Sequence, residues 1–309
     1  MKTALALYGG GGKGAFQVGV EEVLREEYGL SWDGIFGVSV GALNGAMLAA
    51  RREPLLKEIW LSLENRDVYT GRVGPWSALL FALGIRRSLT SNLPIRRRVE
   101  ALLPGLEFVV PLRAVWVDLV SGQTRIASPE DPHFTEALIA SAGIPVVWEP
   151  VHMPHLGSHG VDGGVGDASP VGTAAAHFDA DRVVVVTCRP SRLPRRDDFR
   201  HGVNVLRRSL DIIQQELADR DIEGARRINR LLARGAWPLL SGEGRPYKHV
   251  EMIVIDPTEP LGDTLDFSAR SNAIRYRHGR ARAREVMEAL AGEPLKPAAG
   301  VKGLSPSRA

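Results

Sequence analysis

Apolar residues along this chain fall into short unbroken runs, separated by longer stretches in which apolar positions recur every third or fourth residue. The runs at Thr3–Tyr8, Gly34–Val38, Ala114–Leu119, Arg182–Thr187 and Val250–Ile255 read as strands. A run such as Val183-Val184-Val185-Val186 has no polar face, which places it in a parallel sheet covered by helices on both sides. After Ala114–Leu119, Ser121-Gly122 and then Gln123–Ala127 read as a hairpin return. Helical spacing appears in Lys13–Tyr28, through Phe16, Val20, Val23 and Leu24, and in Val40–Ala50, through Leu43, Met47 and Leu48. Asp211–Arg234 and Ser268–Leu290 are amphipathic and predict outer helices. The alternation predicts an α/β fold with a mostly parallel central sheet flanked by helices.

Composition changes this picture little. Of the 309 residues, 44% are hydrophobic and 24% charged, which supplies a packed core and excludes global disorder. A net charge of +3 gives no electrostatic case for a nucleic-acid partner. Cys188, the single cysteine, can form no intramolecular disulfide and reads as a small core residue within a strand. No apolar stretch approaches the ~18 residues of a membrane span, and the run before Tyr8 is too short for a signal peptide. The expected location is therefore the cytoplasm. Ala291–Ala309 has no periodicity and reads as a disordered tail.

Three short patterns carry chemistry. Gly37-Val38-Ser39-Val40-Gly41 lies between a predicted strand and a predicted helix, the context in which Gly-x-Ser-x-Gly forms a nucleophile elbow. The bland alternative is a tight turn with a helix-capping serine. Gly9-Gly10-Gly11-Gly12-Lys13-Gly14 also joins a strand to a helix and offers a row of backbone N–H groups to an anion. That anion could be a dinucleotide pyrophosphate, a nucleotide phosphate or the oxyanion of acyl transfer. The dinucleotide reading lacks its acidic residue, since Asp33 precedes the second strand. The Walker reading fails because Gly14 stands where Ser or Thr belongs and Leu7 where the opening glycine belongs. Asp162-Gly163-Gly164, finally, sets a carboxylate on backbone of little bulk, suited to close approach or to an ordinary turn.

In this order the three patterns resemble those of the patatin-like phospholipase family, serine acyl hydrolases with a Ser-Asp dyad. Ala140-Ser141-Ala142-Gly143-Ile144-Pro145 is similar to a fourth family segment, with Gly143 where alanine is usual. The resemblance covers residues 3–190. It implies a three-layer hydrolase in one catalytic domain, 1–290; residues 192–290 carry no family pattern and read as a helical region with one strand. It also implies Ser39 as nucleophile, Asp162 as general base, Gly10, Gly11 and Gly12 as oxyanion donors, and Lys13 as the anchor of their loop. Gly37 and Gly41 flank the elbow. The implied activity is hydrolysis of lipid acyl esters, phospholipase A-like or lysophospholipase-like, with no metal and no nucleotide cofactor.

Alternatives remain open at this level. A malonyl-transacylase-like acyltransferase shares Gly-x-Ser-x-Gly but carries His where this chain has Val38. A non-catalytic nucleotide- or lipid-binding module could retain the glycine loop. His152, His155 and His159 fall in a Pro/Gly-rich stretch that reads as loop; a catalytic histidine or a zinc site there is the sharper alternative to solvated side chains. Arg72–Leu89 holds Trp76, Leu79, Leu80, Phe81, Leu83 and Ile85 ahead of Arg86-Arg87, with Ile95-Arg96-Arg97-Arg98 nearby. It reads either as a buried helix or as an apolar cap over the serine that makes peripheral contact with a membrane.

Overall fold

A strand with no polar face is stable only where helices cover both its sides, and the five parallel strands of this protein occupy such positions. The computed structural model describes residues 1–292 except 72–73, 167–168, 196, 198, 200–201, 236–238, 241–243 and 245. The first half holds β1 (Thr3–Leu7), α1 (Ala15–Glu26), β2 (Gly34–Val38), α2 (Val40–Ala49), α3 (Glu53–Ser62), α4 (Asn65–Val68), α5 (Pro75–Ala82) and α6 (Leu93–Leu102). There follow β3 (Leu112–Asp118), β4 (Thr124–Ala127), α7 (Phe134–Ser141), β5 (Val151–Met153), β6 (Ser158–Asp162) and α8 (Pro170–Phe178). β7 (Arg182–Val186), α9 (Gly202–Ala233), β8 (Glu251–Ile255) and α10 (Ala269–Gly292) complete the described chain. Residues 293–309, most of the predicted tail, lie outside the described residues, while Ala291 and Gly292 extend α10.

The strand order is β5-β6-β3-β2-β1-β7-β8, with β4 paired to β3. β3, β2, β1, β7 and β8 are parallel neighbours, and β4, β5 and β6 are antiparallel additions. The alternation of side chains divides the core in two. Leu5, Leu7 and Ile35 face α1, α2, α7 and α10, whereas Ala4, Ala6 and Phe36 face α8 and α9. The expected mostly parallel sheet between helical layers is therefore the observed fold.

The stretch around His152–His159, expected to be a loop, is instead the β5–β6 hairpin, in which His152 and His159 are cross-strand partners. Its strands are three and five residues long and contain His, Ser and Gly. They lack an apolar run of their own and owe their extension to the ladder that β3 offers to β6.

α1 and α10 pack closely enough that their backbones meet through glycines. A Cβ on Gly19 would strike the carbonyl of Tyr276, and one on Gly279 would strike the carbonyl of Phe16. Gly279→Val should therefore lower Tm by roughly 3–10 °C in a thermal melt, because backbone on a packed helix cannot retreat. Gly224 of α9 has nothing within 4 Å of its Cβ position, and Gly224→Ala should leave Tm unchanged or raise it.

Candidate active site

β2 ends at Val38, and the chain turns so sharply into α2 that Ser39 takes φ 58° and ψ −130°. A non-glycine residue in this region costs roughly 1–3 kcal/mol. Space for the turn comes from its neighbours: a side chain at Gly37 would run into Ala42, and one at Gly41 into the backbone of Leu7. Ser39 does not cap α2, as the bland reading of the motif has it. Its hydroxyl instead donates to Asp162 Oδ2 at 2.6 Å, and its N–H donates to Ser141 Oγ at 3.0 Å.

Asp162 closes β6 and is 2% exposed. Its N–H donates to the carbonyl of Gly143 at 3.0 Å, so the segment 140–145 holds both members of the pair, one through Ser141 and one through Gly143. Gly163 lies so close to the carbonyl of Val115 that a side chain would clash there, and Gly164 N–H donates to Asp162 Oδ1 at 2.7 Å. Burial pushes the Asp162 pKa up to about 6 against the opposing pull of the Ser39 hydroxyl, the Gly164 N–H and the Arg189 charge.

The glycine loop stands beside this pair, with a Cβ position at Gly9 only 2.9 Å from Ser39 Cβ. Gly11 adopts φ +55° and lines the same cavity as Ser39. Gly12 departs from its expected role, because its N–H is committed to the carbonyl of Thr264 at 2.8 Å. That leaves Gly10 and Gly11 as candidate oxyanion donors. Lys13 also departs from expectation: among the described residues its ammonium makes no hydrogen bond or ion pair, so it anchors nothing through its side chain. Burial, and then repulsion from Arg189, push its pKa down to about 8.

The anchor is Arg275, on α10 and 3% exposed. Its Nη1 donates to the carbonyls of Gly12 at 2.8 Å and Asp266 at 2.5 Å, its Nε to that of Leu261 at 2.7 Å, and its Nη2 to that of Asp263 at 3.0 Å. A guanidinium suits this task because its five N–H groups diverge in a rigid fork. No sequence pattern near Arg275 signals the role, since its partner Gly12 lies 263 residues away. Cys188 is buried as expected, with its thiol pushed up to about 12, and it packs where Gly10 admits no side chain.

Ser39 opens onto an apolar cavity of about 130 Å³ lined by Leu43, Met47, Trp60, Leu138, Trp148 and Phe267, with Ile95, Arg96, Arg98 and Val99 of α6 among the rest of its lining. Arg72 lies outside the described residues, and the segment around it departs from the buried-helix expectation and from a position over the serine, while its apolar side chains are exposed. Trp76 is 78%, Leu83 63% and Ile85 67% exposed, so the segment is no buried helix, and α6 rather than α5 borders the serine cavity. The histidines stay apart from the serine: His155 stacks on His133 with centroids 3.6 Å apart, and His152 lies against His159 at 5.1 Å.

Residues 5–175 match the family described as patatin-like phospholipase. The chain belongs to this family. A patatin-like phospholipase domain is a hydrolase of lipid esters, and its match here spans the glycine loop, the elbow and Asp162. β7, α9, β8 and α10, including the anchor Arg275, lie beyond it. Two of the solved structures similar to it are VipD and ExoU. VipD from Legionella pneumophila is 12% identical with a TM-score of 0.45, over 93% of this chain and 67% of that one. The type III effector protein ExoU is 14% identical with a TM-score of 0.42, over 94% of this chain, which spans about half, 54%, of ExoU's length. No curated protein matches the chain.

The raised Asp162 pKa makes a stability prediction. Its folded value, about 6, exceeds the ordinary 3.8, so ionisation of Asp162 destabilises the fold as pH rises through this window. Asp162→Asn should be more stable than the parent at pH 8, by on the order of 2–3 kcal/mol. Paired chemical denaturation at pH 8 and pH 4 checks this, and the advantage should shrink toward zero at the lower pH.

Proposed function

We propose that Ser39 and Asp162 form the catalytic dyad of a lipid acyl-ester hydrolase, phospholipase A-like or lysophospholipase-like. The observation that carries this reading is the 2.6 Å hydrogen bond from Ser39 Oγ to a buried carboxylate, at the mouth of an apolar cavity. Asp162 Oδ2 takes the hydroxyl proton as Ser39 Oγ bonds to the ester carbonyl carbon. The carbonyl oxygen becomes an oxyanion that the N–H groups of Gly10 and Gly11 receive, with the N-terminus of α2 adding favourable potential. Collapse breaks the ester bond, and the departing alkoxide takes the proton from Asp162, leaving an acyl-Ser39. Water then attacks this ester, gives its proton to Asp162, and the fatty acid leaves as Ser39 recovers its proton. A carboxylate of ordinary pKa would be a poor base, and desolvation raises its basicity. The acyl chain occupies the apolar cavity.

We read residues 1–290 as one catalytic domain, since Thr264 and Arg275 hold the loop that receives the oxyanion. No helix of the described residues is long and apolar enough to cross a membrane. Contact with lipid is peripheral in this reading and runs through Trp76, Leu79, Leu83 and Ile85, an apolar group that a surface partner would cover. Arg86 and Arg87 follow it in an exposed turn, placed to meet phosphate groups.

Ser39→Ala should lower kcat on a phospholipid by roughly 10³-fold or more with a near-native melting curve. The base must be ionised, so kcat/KM should rise with pH through an apparent pKa near 6 and then level off. A rate that does not fall between pH 7 and pH 5 would remove Asp162 from the mechanism. For the lipid contact, co-sedimentation with vesicles containing phosphatidylglycerol should weaken with salt, which screens charges over about 8–10 Å. It should weaken again in Arg86→Glu/Arg87→Glu and in Trp76→Ser/Leu83→Ser, with Tm unchanged in both.

A further inference from the structure

Deacylation needs a water held against Asp162, and the fold provides a recess of that size beside the dyad. A cavity of about 30 Å³, the volume of one water, lies on the α8 and α9 side of the sheet among Gly9, Gly163, Gly164, Arg189 and Gln214. It reaches toward both members of the dyad. A Cβ at Gly9 would lie 3.5 Å from Ser39 Oγ, and one at Gly164 would lie 3.0 Å from Asp162 Oδ1. The acyl cavity is formed instead by residues of α2, α3, α6 and α7, so a chain bound there leaves this recess open.

In a largely apolar recess, a water is retained only if two to four polar groups bond it. Gln214, half-buried on α9, supplies the first. Its Oε1 accepts from Arg189 Nη2, and because a guanidinium can only donate, this contact identifies Nε2 as the end of the amide left for another partner. Among the described residues Nε2 has no hydrogen-bond partner. Nε2 and Asp162 Oδ1 lie 2.9 and 3.0 Å from one point, the Cβ position of Gly164, and are not bonded to each other. They are therefore at most about 6 Å apart, the reach of one water with a hydrogen bond to each. Oδ1 has room for that bond, since Ser39 Oγ donates to Oδ2 and Oδ1 accepts the Gly164 N–H. Arg189 lines the same cavity, and its Nη1, also without a partner among the described residues, is a second donor.

We propose that this recess seats the hydrolytic water and that Gln214 Nε2 holds it for attack on acyl-Ser39. The inference rests on the dyad reading and assigns the deacylation step to a residue beyond the span of the family match. Nε2 donates to the water oxygen, the water donates to Asp162, and one lone pair of the water stays directed at the acyl carbon. As the water oxygen bonds to that carbon, one proton passes to Asp162. The tetrahedral intermediate then expels Ser39 Oγ, which recovers this proton, and the other leaves with the fatty acid. Acylation uses no such water, so Gln214 matters to the second half of the cycle alone.

Burst kinetics on p-nitrophenyl butyrate at pH 8, where Asp162 is ionised, separates the two steps, because nitrophenol leaves on acylation. Gln214→Met keeps the length of the side chain and removes the donor. Its first-turnover rate should stay within about threefold of the parent's while its steady-state rate falls at least about tenfold, and intact-mass spectra should show acyl-Ser39 accumulating. Added methanol should capture a larger share of the acyl group than in the parent, because a diffusing alcohol does not depend on the amide. An equal fall in both rates, or a steady-state rate within about twofold of the parent's with no acyl-enzyme, overturns the proposal. Gln214→Glu keeps the acceptor for Arg189 and offers no N–H, so it should deacylate as slowly as the Met variant. Parent-like deacylation there would reduce Gln214 to a support for Arg189 and overturn the proposal as well. If the parent releases nitrophenol no faster than Ser39→Ala, the dyad reading fails and this inference with it.

Discussion

The active-site arrangement depends on a register. β2 runs parallel to β3 and ends with Val38 opposite Val115, whereas β6 runs antiparallel to β3 and ends with Asp162 opposite Trp116. Two strands from different parts of the chain thus converge head-on at consecutive residues of β3. The residue after one and the last residue of the other meet as Ser39 and Asp162, 123 positions apart in sequence. A slip of one residue in either ladder would turn a side chain to the opposite face and separate them. The strained backbone of Ser39 and the desolvated carboxylate of Asp162 are both tolerated because the packed strands around them fix their positions.

Close approach is the second constraint, and it explains the glycines without appeal to flexibility. At Gly41 the limit is the backbone of Leu7, at Gly163 that of Val115, and at Gly12 that of Asp266. The last contact reaches beyond the segment that matches the family. Thr264 and Arg275 fix the orientation of Gly12, and α10, which carries Arg275, packs through Gly279 on α1. The C-terminal third is thereby part of the scaffold of the glycine loop.

Electrostatics at the site is a contest between burial and a small number of charges. Burial raises the Asp162 pKa, and the Ser39 hydroxyl, the Gly164 N–H and, last, the Arg189 charge limit the rise. The same burial lowers the pKa of Lys13, so one dry environment moves a base and a cation toward neutrality together. On the other side of the sheet the serine faces an almost wholly apolar cavity.

What the sequence by itself determined was whatever depends on neighbours in the chain. The polarity of the runs at Thr3–Leu7 and Arg182–Val186 is enough to demand a covered parallel sheet, and the glycine patterns mark turns whatever lies around them. The β5–β6 hairpin escaped because its extension is imposed by β3, and the exposure of α5 escaped because apolar content states a need for cover without saying what provides it. Gly12 and Lys13 look alike in sequence to a donor and an anchor. Only the tertiary structure gives the Gly12 N–H to Thr264 and the loop to Arg275, since a hydrogen bond spanning most of the chain leaves no trace in local spacing.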